Sequence, residues 1–159
     1  MGHMNTVQKN RMDSFQQRCK LLVVAGENIK LPHGASDDEI EQIYEAGKEH
    51  YLSGRYDESI IHFTFLVMQC PSDKYFHLGL GLALYENKNY TQALTFLSYA
   101  LFMDPTDPGP SYAMAQCLLA LNEYEAARDA LQTAIQQSHI DYNQYAAIYD
   151  LAKQKLDQL

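Results

Sequence analysis

The amino-acid sequence predicts an all-α fold, an α-solenoid of three stacked helix pairs with an N-terminal amphipathic helix and a C-terminal capping helix. The main observation is an internal repeat, because three similar hexapeptides follow one another at intervals of 34 residues, Gly54–Ser59, Lys88–Ala93 and Asn122–Ala127. Within each repeat, two apolar stripes of helical period flank a turn. Pro71 and Pro105 lie near the ends of the first two repeats, where a proline stops the second helix. A fixed period of this length is typical of solenoids.

The first segment, residues 1–35, is predicted to combine a tag remnant, a helix and a linker. Met1–Met4 resembles the scar that an expression vector leaves before a natural Met. Apolar side chains then recur every three or four residues, at Met12, Phe15, Cys19 and Leu22. This pattern predicts an amphipathic helix that buries its stripe either against a second copy of the chain or against its own repeats. Pro32 and Gly34 indicate a linker before the repeats.

The repeat region, residues 36–141, begins with a capping box at Ser36–Glu39 and divides into windows at 40–73, 74–107 and 108–141. Two columns of the repeat predict how the helices of each pair pack. One column holds small residues, at Gly47, Gly81 and Ala115, and the other holds large apolar residues, at Phe63, Leu97 and Leu131. Small residues let two helices approach closely, and the large residues fill the remaining space.

After the third window, residues 142–159 predict one further helix. The last repeat of a solenoid needs a partner that covers its apolar side and presents a polar surface to water. Because this helix directly follows the third repeat, we expect it to be that cap.

The composition excludes some classes of function. The chain has 20 acidic and 12 basic residues and a net charge of -8, whereas proteins that bind nucleic acid need Lys and Arg for the phosphates. The longest apolar run, Leu78–Tyr85, is too short to span a bilayer. Three widely spaced cysteines without a CxxC motif indicate buried thiols in a reducing compartment. We therefore expect a cytoplasmic protein that binds neither nucleic acid nor membrane.

The period and the columns resemble the tetratricopeptide repeat (TPR). The resemblance implies that the first helices of the repeats line a concave surface, into which repeat positions 2, 5, 9 and 12 point. Those positions hold Glu41, Tyr44, Lys48, Tyr51, Tyr75, Leu78, Leu82, Tyr85, Gly109, Tyr112, Gln116 and Leu119. Five of them are Tyr, and an apolar concavity of this kind indicates a groove that binds an extended, mainly apolar peptide. All of these residues except Glu41 and Gly109 are our candidate client-binding residues.

Two other interpretations of the tyrosines stay open. Tyr75, Leu82 and Tyr85 could instead pack against a neighbouring helix, or the N-terminal helix could fold back into the groove. For a single residue, packing explains the pattern as well as binding does. For the whole set, which lies on one face across three repeats, we favour binding.

The carboxylate clamp, by which some TPR co-chaperones hold the C-terminus of a partner, is absent from the sequence. The clamp consists of Lys, Asn, Asn, Lys and Arg. At those five places the chain has Tyr44, Lys48, Gly79, Gly109 and Ala113, only one of which is basic.

Beyond the repeats, residues 26–137 resemble the class II chaperones of type III secretion systems. The segments that carry this resemblance are Ser36–Tyr44, Tyr51–Tyr56, Phe63–Leu66, Phe76–Gly81 and Ala115–Leu119. The Leu-Gly-Leu-Gly run within Phe76–Gly81 and the Cys-Leu-Leu run within Ala115–Leu119 are more specific than general TPR columns.

The resemblance implies a cytoplasmic, non-enzymatic chaperone that holds an extended apolar segment of a hydrophobic translocator protein before export. It implies that Tyr44 and Tyr51 contribute to client binding, with Tyr56 at the turn, whereas Lys48 replaces the aromatic or apolar residue often found there. Members of this family often dimerise through N-terminal helices, so the stripe of Met12, Phe15, Cys19 and Leu22 is the candidate interface of a homodimer. Two alternatives stay open: a generic bacterial TPR scaffold that binds a helical partner, and a chaperone that also co-activates a transcription regulator.

Residues with the spacing of a catalytic or metal site are not found in the sequence. The six histidines do not form an HExxH motif or an i, i+4 pair, and no P-loop or GxSxG motif occurs. The acidic run Asp37–Glu41 is explained by its place at a helix N-terminus, where negative charge is favourable. We therefore expect neither an enzyme nor a cofactor or metal site.

Overall fold

Seven α-helices make up the part of the chain that the structure, a computed structural model, describes, residues 34–159. They are α1 (Asp37–Leu52), α2 (Tyr56–Gln69), α3 (Lys74–Glu86), α4 (Tyr90–Met103), α5 (Pro108–Ala120), α6 (Tyr124–Ser138) and α7 (Tyr142–Asp157). Residues 34–159 contain no strand, and the predicted all-α solenoid of TPR helix pairs is confirmed. The predicted N-terminal helix, with Met12, Phe15, Cys19 and Leu22, lies outside the described residues.

The first helices of the second and third repeats begin at the first residue of each window, Lys74 and Pro108. In both cases the preceding Asp is the N-cap. The side chain of Asp73 accepts a hydrogen bond from the Tyr75 N–H at 2.8 Å, and that of Asp107 accepts one from the Gly109 N–H at 2.8 Å. Each cap satisfies a backbone donor that the helix itself cannot pair.

The turn inside each helix pair contains one residue with a left-handed backbone. These residues are Gly54, Lys88 and Asn122, with φ of 72°, 63° and 62°, and they lie 34 residues apart. Only Gly adopts this conformation without a steric penalty from Cβ, so the second and third turns carry some strain. The same turn geometry therefore joins all three helix pairs.

The two predicted columns meet inside each helix pair. A Cβ added to Gly47 would lie 3.3 Å from the Phe63 ring, and one added to Gly81 would lie 2.6 Å from Leu97 Cγ. In the third repeat, Ala115 and Leu131 belong to one fully buried cluster. Ser59, which is also buried, donates a hydrogen bond to the Gly47 carbonyl at 2.9 Å and so links α1 to α2.

The last helix, α7, packs on α6 and contributes to the core of the third repeat. Ala152 is fully buried together with Ala115, Leu131 and Ala134. Tyr112 and Leu156 pack against this cluster from the side. The C-terminal helix therefore covers the apolar side of the third repeat, as a solenoid cap does.

Candidate functional site

The inner surface of the solenoid contains a groove made of two adjoining cavities. The first cavity, of about 260 Å³, lies between α1 and α3 and is lined by Tyr44, Lys48, Tyr51, Leu52, Phe63, Tyr75, Leu78, Gly79 and Leu82. The second, of about 280 Å³, lies between α3 and α5 and is lined by Tyr51, Leu78, Leu82, Tyr85, Glu86, Gly109, Tyr112, Ala113 and Gln116. Three side chains line both cavities, so the groove is continuous. Each volume is below the ~300–1,000 Å³ of drug-sized ligand sites and suits individual side chains.

The two cavities are built from the same positions of successive repeats. Eight lining residues of the first cavity have their counterparts, 34 residues later, in the second: 44/78, 48/82, 51/85, 52/86, 75/109, 78/112, 79/113 and 82/116. These are repeat positions 5, 9, 12 and 13 of one repeat and 2, 5, 6 and 9 of the next. We call the two cavities the first and second subsites.

The floor of the first subsite is formed by Phe63, whose ring lies directly beneath Gly79. A Cβ at Gly79 would overlap this ring, so the close approach of α3 to α2 requires glycine here. Tyr44 packs on the same floor, with its ring centroid 6.0 Å from that of Phe63 and 5.5 Å from that of Phe76. Edge and tilted contacts of this kind hold the aromatic wall in place.

Two groove tyrosines are held by the tyrosine that begins the following helix. The ring of Tyr51 contacts that of Tyr56 at a centroid distance of 5.7 Å, and Tyr85 contacts Tyr90 at 5.7 Å. The turn tyrosines therefore support the groove, as well as starting α2 and α4. These contacts orient the rings before any partner arrives, which lowers the entropic cost of binding.

Charges line the groove at only two places. In the first subsite, Lys48 Nζ lies 2.6 Å from the Glu45 carboxylate and 4.7 Å from the centroid of the Tyr44 ring. In the second, the Glu86 carboxylate accepts a long hydrogen bond of 3.4 Å from the Tyr51 hydroxyl. Burial, together with the negative charge of Glu86, raises the pKa of Tyr51 to about 12, so this hydroxyl keeps its proton at neutral pH.

Nine of the ten candidate client-binding residues line the two subsites: Tyr44, Lys48, Tyr51, Tyr75, Leu78, Leu82, Tyr85, Tyr112 and Gln116. The tenth, Leu119, lines neither. Each cavity lies between the first helices of two consecutive repeats, and Leu119 belongs to the first helix of the third repeat. Gly109 lines the second subsite and Glu41 lines neither.

Two lining positions of the repeat were not predicted from the sequence. Position 6 holds Gly79 and Ala113, and position 13 holds Leu52 and Glu86. Positions 2, 5, 6, 9, 12 and 13 lie on one helix face at a period of 3.6, so the full helical period would have added them. Phe63 was assigned to the core, and it is 3 % exposed, yet its ring is also the floor of the groove.

Residues 34–159 include no cluster of three or more His, Cys, Asp or Glu side chains that could bind a metal ion. Over the same range, none of the helices combines the length and the hydropathy that crossing a bilayer requires.

Comparisons with known proteins agree with this geometry. Models of the tetratricopeptide repeat match residues 44–108 and 84–153. The chain is 29% identical to the low calcium response locus protein H of Yersinia pestis over 117 residues, which is 74% of this chain and 70% of that protein.

Two solved structures resemble the chain along most of its length. One is PcrH of Pseudomonas aeruginosa in complex with the chaperone binding region of PopD, with a TM-score of 0.76, 28% identity, and coverage of 79% of this chain and 94% of that chain. The other is the Yersinia enterocolitica type III secretion chaperone SycD in complex with a peptide of the translocator YopD. It has a TM-score of 0.63, 27% identity, and coverage of 76% of this chain and 96% of that chain.

Proposed function

Because this chain belongs to the tetratricopeptide repeat family and is homologous to the class II translocator chaperones of type III secretion systems, we propose that it is a translocator chaperone. It binds an extended apolar segment of a hydrophobic translocator protein in the groove and keeps it from aggregating until export. The observation that carries this proposal is the pair of mainly apolar subsites, lined by five tyrosines and three leucines, in a fold whose relatives have been crystallised with client segments.

The mechanism is shielding by a surface that is already formed. Client side chains move from water into cavities whose aromatic walls are held in place by neighbouring rings. The chaperone therefore loses little conformational entropy when the client binds. Binding alone keeps the client soluble, so the protein needs no bound cofactor and acts without enzymatic chemistry. We place it in the bacterial cytoplasm, where a translocator must be held before secretion.

A homodimer is the second part of the proposal. One crystal structure of the Yersinia enterocolitica chaperone SycD is described as an alternative dimer. The stripe of Met12, Phe15, Cys19 and Leu22 is our proposed interface, and it lies outside the described residues.

The test is co-purification of a translocator encoded near the gene for this chain. The triple variant Tyr44→Ala/Tyr51→Ala/Tyr85→Ala removes aromatic walls from both subsites. Since each buried aromatic anchor contributes about 2 kcal/mol or more to a binding interface, we expect client affinity to fall at least ~100-fold.

The matched control removes three exposed tyrosines that lie outside the groove, Tyr99→Ala/Tyr124→Ala/Tyr142→Ala. It should bind the client as the wild type does. Because Tyr44 and Tyr51 also pack internally, the single variant Tyr75→Ala provides a milder test, as this ring is 55% exposed. Normal capture by both groove variants, with helical content intact, would contradict the proposed site.

A further inference from the structure

The rim of the second subsite carries a carboxylate at a place where the rim of the first carries a leucine. Repeat position 13 is Leu52 in the first subsite and Glu86 in the second, and the third repeat has Ala120 there. Apart from Gln116, the other residues that line the second subsite are apolar or aromatic and include Leu82, Tyr85 and Tyr112. A carboxylate therefore borders a cavity whose counterpart is bordered by a leucine.

Within residues 34–159, Glu86 also has no positively charged partner. The ion pairs within residues 34–159 are those of Lys48 with Glu45 and of Lys74 with Asp104 and Asp107, and none involves Glu86. From the side chains of this same range, the carboxylate of Glu86 accepts the long hydrogen bond of the Tyr51 hydroxyl. The charge of Lys48, by contrast, is already balanced by Glu45 and the Tyr44 ring.

The helix itself does not favour a carboxylate here. Glu86 is the last residue of α3, where the free carbonyl groups make the helix end negative, and the last turn of α3 contains no basic residue. A cation brought by a partner would neutralise both the carboxylate and the helix end.

On the basis of the function proposed above, we propose that the second subsite binds a Lys or Arg side chain of the client. The aliphatic stem packs against Leu82, Tyr85 and Tyr112, and the charged head pairs with Glu86 at the rim. The tyrosine rings add favourable contacts with the cation. The first subsite, with Leu52 on its rim, binds an apolar side chain. The groove therefore selects a client segment in which an apolar and a basic residue lie at a fixed spacing. This spacing sets the register in which the client binds.

The test begins with a displayed library of short random peptides, selected in parallel on the full wild-type chain and on two variants. Peptides selected by the wild type should contain a Lys or Arg at a fixed spacing from an apolar residue. Glu86→Leu makes the second rim match the first, so it should select an apolar residue at that place. The reciprocal Leu52→Glu, at a side chain that is 84% exposed, should select an additional basic residue.

Affinities then measure the pairing itself. On the wild type, replacing the basic residue of a selected peptide by Met should weaken binding roughly tenfold, as for loss of a charged hydrogen bond. On Glu86→Gln the two peptides should bind about equally. Glu125→Gln removes the same charge from an exposed site at the start of α6 and should behave as the wild type.

Three results would overturn the proposal. The first is that the wild type and Glu86→Leu select the same residue at this place. The second is that the wild type binds the Met peptide as tightly as the basic peptide. The third is that Glu86→Gln weakens the binding of both peptides equally, which would mean that Glu86 accepts a hydrogen bond from the client backbone. If the selected peptides bind Tyr75→Ala and the triple tyrosine variant as tightly as the wild type, the groove is not the binding site and the proposed function fails as well.

Discussion

At the residue scale, the shape of the first subsite depends on one glycine. Gly79 has no Cβ, and this absence leaves room for the Phe63 ring that forms the floor. The equivalent place in the second subsite is Ala113, where a methyl group is accommodated and 6% of the residue is exposed. The counterpart of Phe63 in the second repeat is Leu97, which does not line the second subsite, so the two subsites differ in their floor.

Replacing Gly79 by Ala should therefore destabilise the fold. The added Cβ overlaps the Phe63 ring, so either the ring or α3 must shift, and we expect a loss of about 1–3 kcal/mol in the free energy of unfolding. Urea denaturation measures it. Gly109→Ala is the control, because its Cβ would meet only the end of the Asp107 side chain, at 3.1 Å. An unchanged midpoint for Gly79→Ala would mean that the floor is not close-packed.

Most of the groove could be predicted at this scale, but not all of it. The 34-residue register placed nine candidate residues on the two subsites, because successive repeats expose equivalent positions. It could not show that the Phe63 ring reaches the groove floor, since that depends on how closely α2 and α3 approach. That Glu86 has no positively charged partner within residues 34–159 likewise appears only when the surrounding side chains are in place.

At the element scale, two of the three helix-pair turns place a residue other than glycine in a left-handed backbone conformation, which destabilises the fold. Lys88 and Asn122 adopt the left-handed backbone that Gly54 adopts freely. We expect Lys88→Gly to raise the free energy of unfolding by about 0.5–1 kcal/mol and Gly54→Ala to lower it by about 1 kcal/mol. Thermal or urea denaturation of both variants measures the difference. A lower free energy of unfolding for Lys88→Gly and a higher one for Gly54→Ala would show that the backbone at these turns is not left-handed.

An ion-pair network joins α3 to the loop before α5. Lys74 Nζ lies 2.5 Å from the Asp104 carboxylate and 3.3 Å from that of Asp107, the N-cap of α5. The hydrogen bond from Lys74, followed by those from Thr106, lowers the pKa of Asp104 to about 2. The network therefore depends on an ionised Asp104.

Since the pKa of Asp104 is lowered from 3.8, the stability that it contributes is present above about pH 4 and is lost as pH falls towards 2. Lys74→Met should cost about 1 kcal/mol at pH 7, and the difference from the wild type should shrink between pH 4 and 2. Urea denaturation at a series of pH values measures it. Lys155→Met, an exposed lysine near the end of α7, is the control. A pH-independent difference would exclude a role for Asp104 ionisation.

At the scale of the whole molecule, the cap and the groove are connected. α7 contributes Ala152 to the buried cluster of the third repeat, and Tyr112 packs against that same cluster while lining the second subsite. A substitution that weakens the packing of α7 should therefore disturb the second subsite more than the first, because the first subsite has no residue from α5 or α7.

The variant Ala152→Asp tests the packing of α7 on the third repeat. A charge without a partner at a fully buried position should lower the free energy of unfolding by about 3 kcal/mol or more. Ala147→Asp, at an exposed position of the same helix, should change it by less than ~0.5 kcal/mol. Equal effects of the two substitutions, measured by circular dichroism during urea denaturation, would contradict the capping role of α7.

The fold as a whole was predictable because similar residue types recur at equivalent positions of the three repeats. The turn residues and the small and large columns agree in all three repeats, and a proline follows the second helix of the first two, so the helix starts at Lys74 and Pro108 follow from the register. Pairings such as Lys74 with Asp104 were not predictable, because they join residues 30 apart whose distance depends on how the repeats stack. The N-terminal stripe remains a prediction.

The most direct test of the central claim is a crystal structure of the chain with the chaperone-binding segment of its translocator. We expect an extended client segment along the groove, with an apolar side chain over Phe63 and Gly79 in the first subsite and a second side chain between Tyr85 and Tyr112. A client bound as a helix, or seated on α2, α4 and α6 with both subsites empty, would contradict the account.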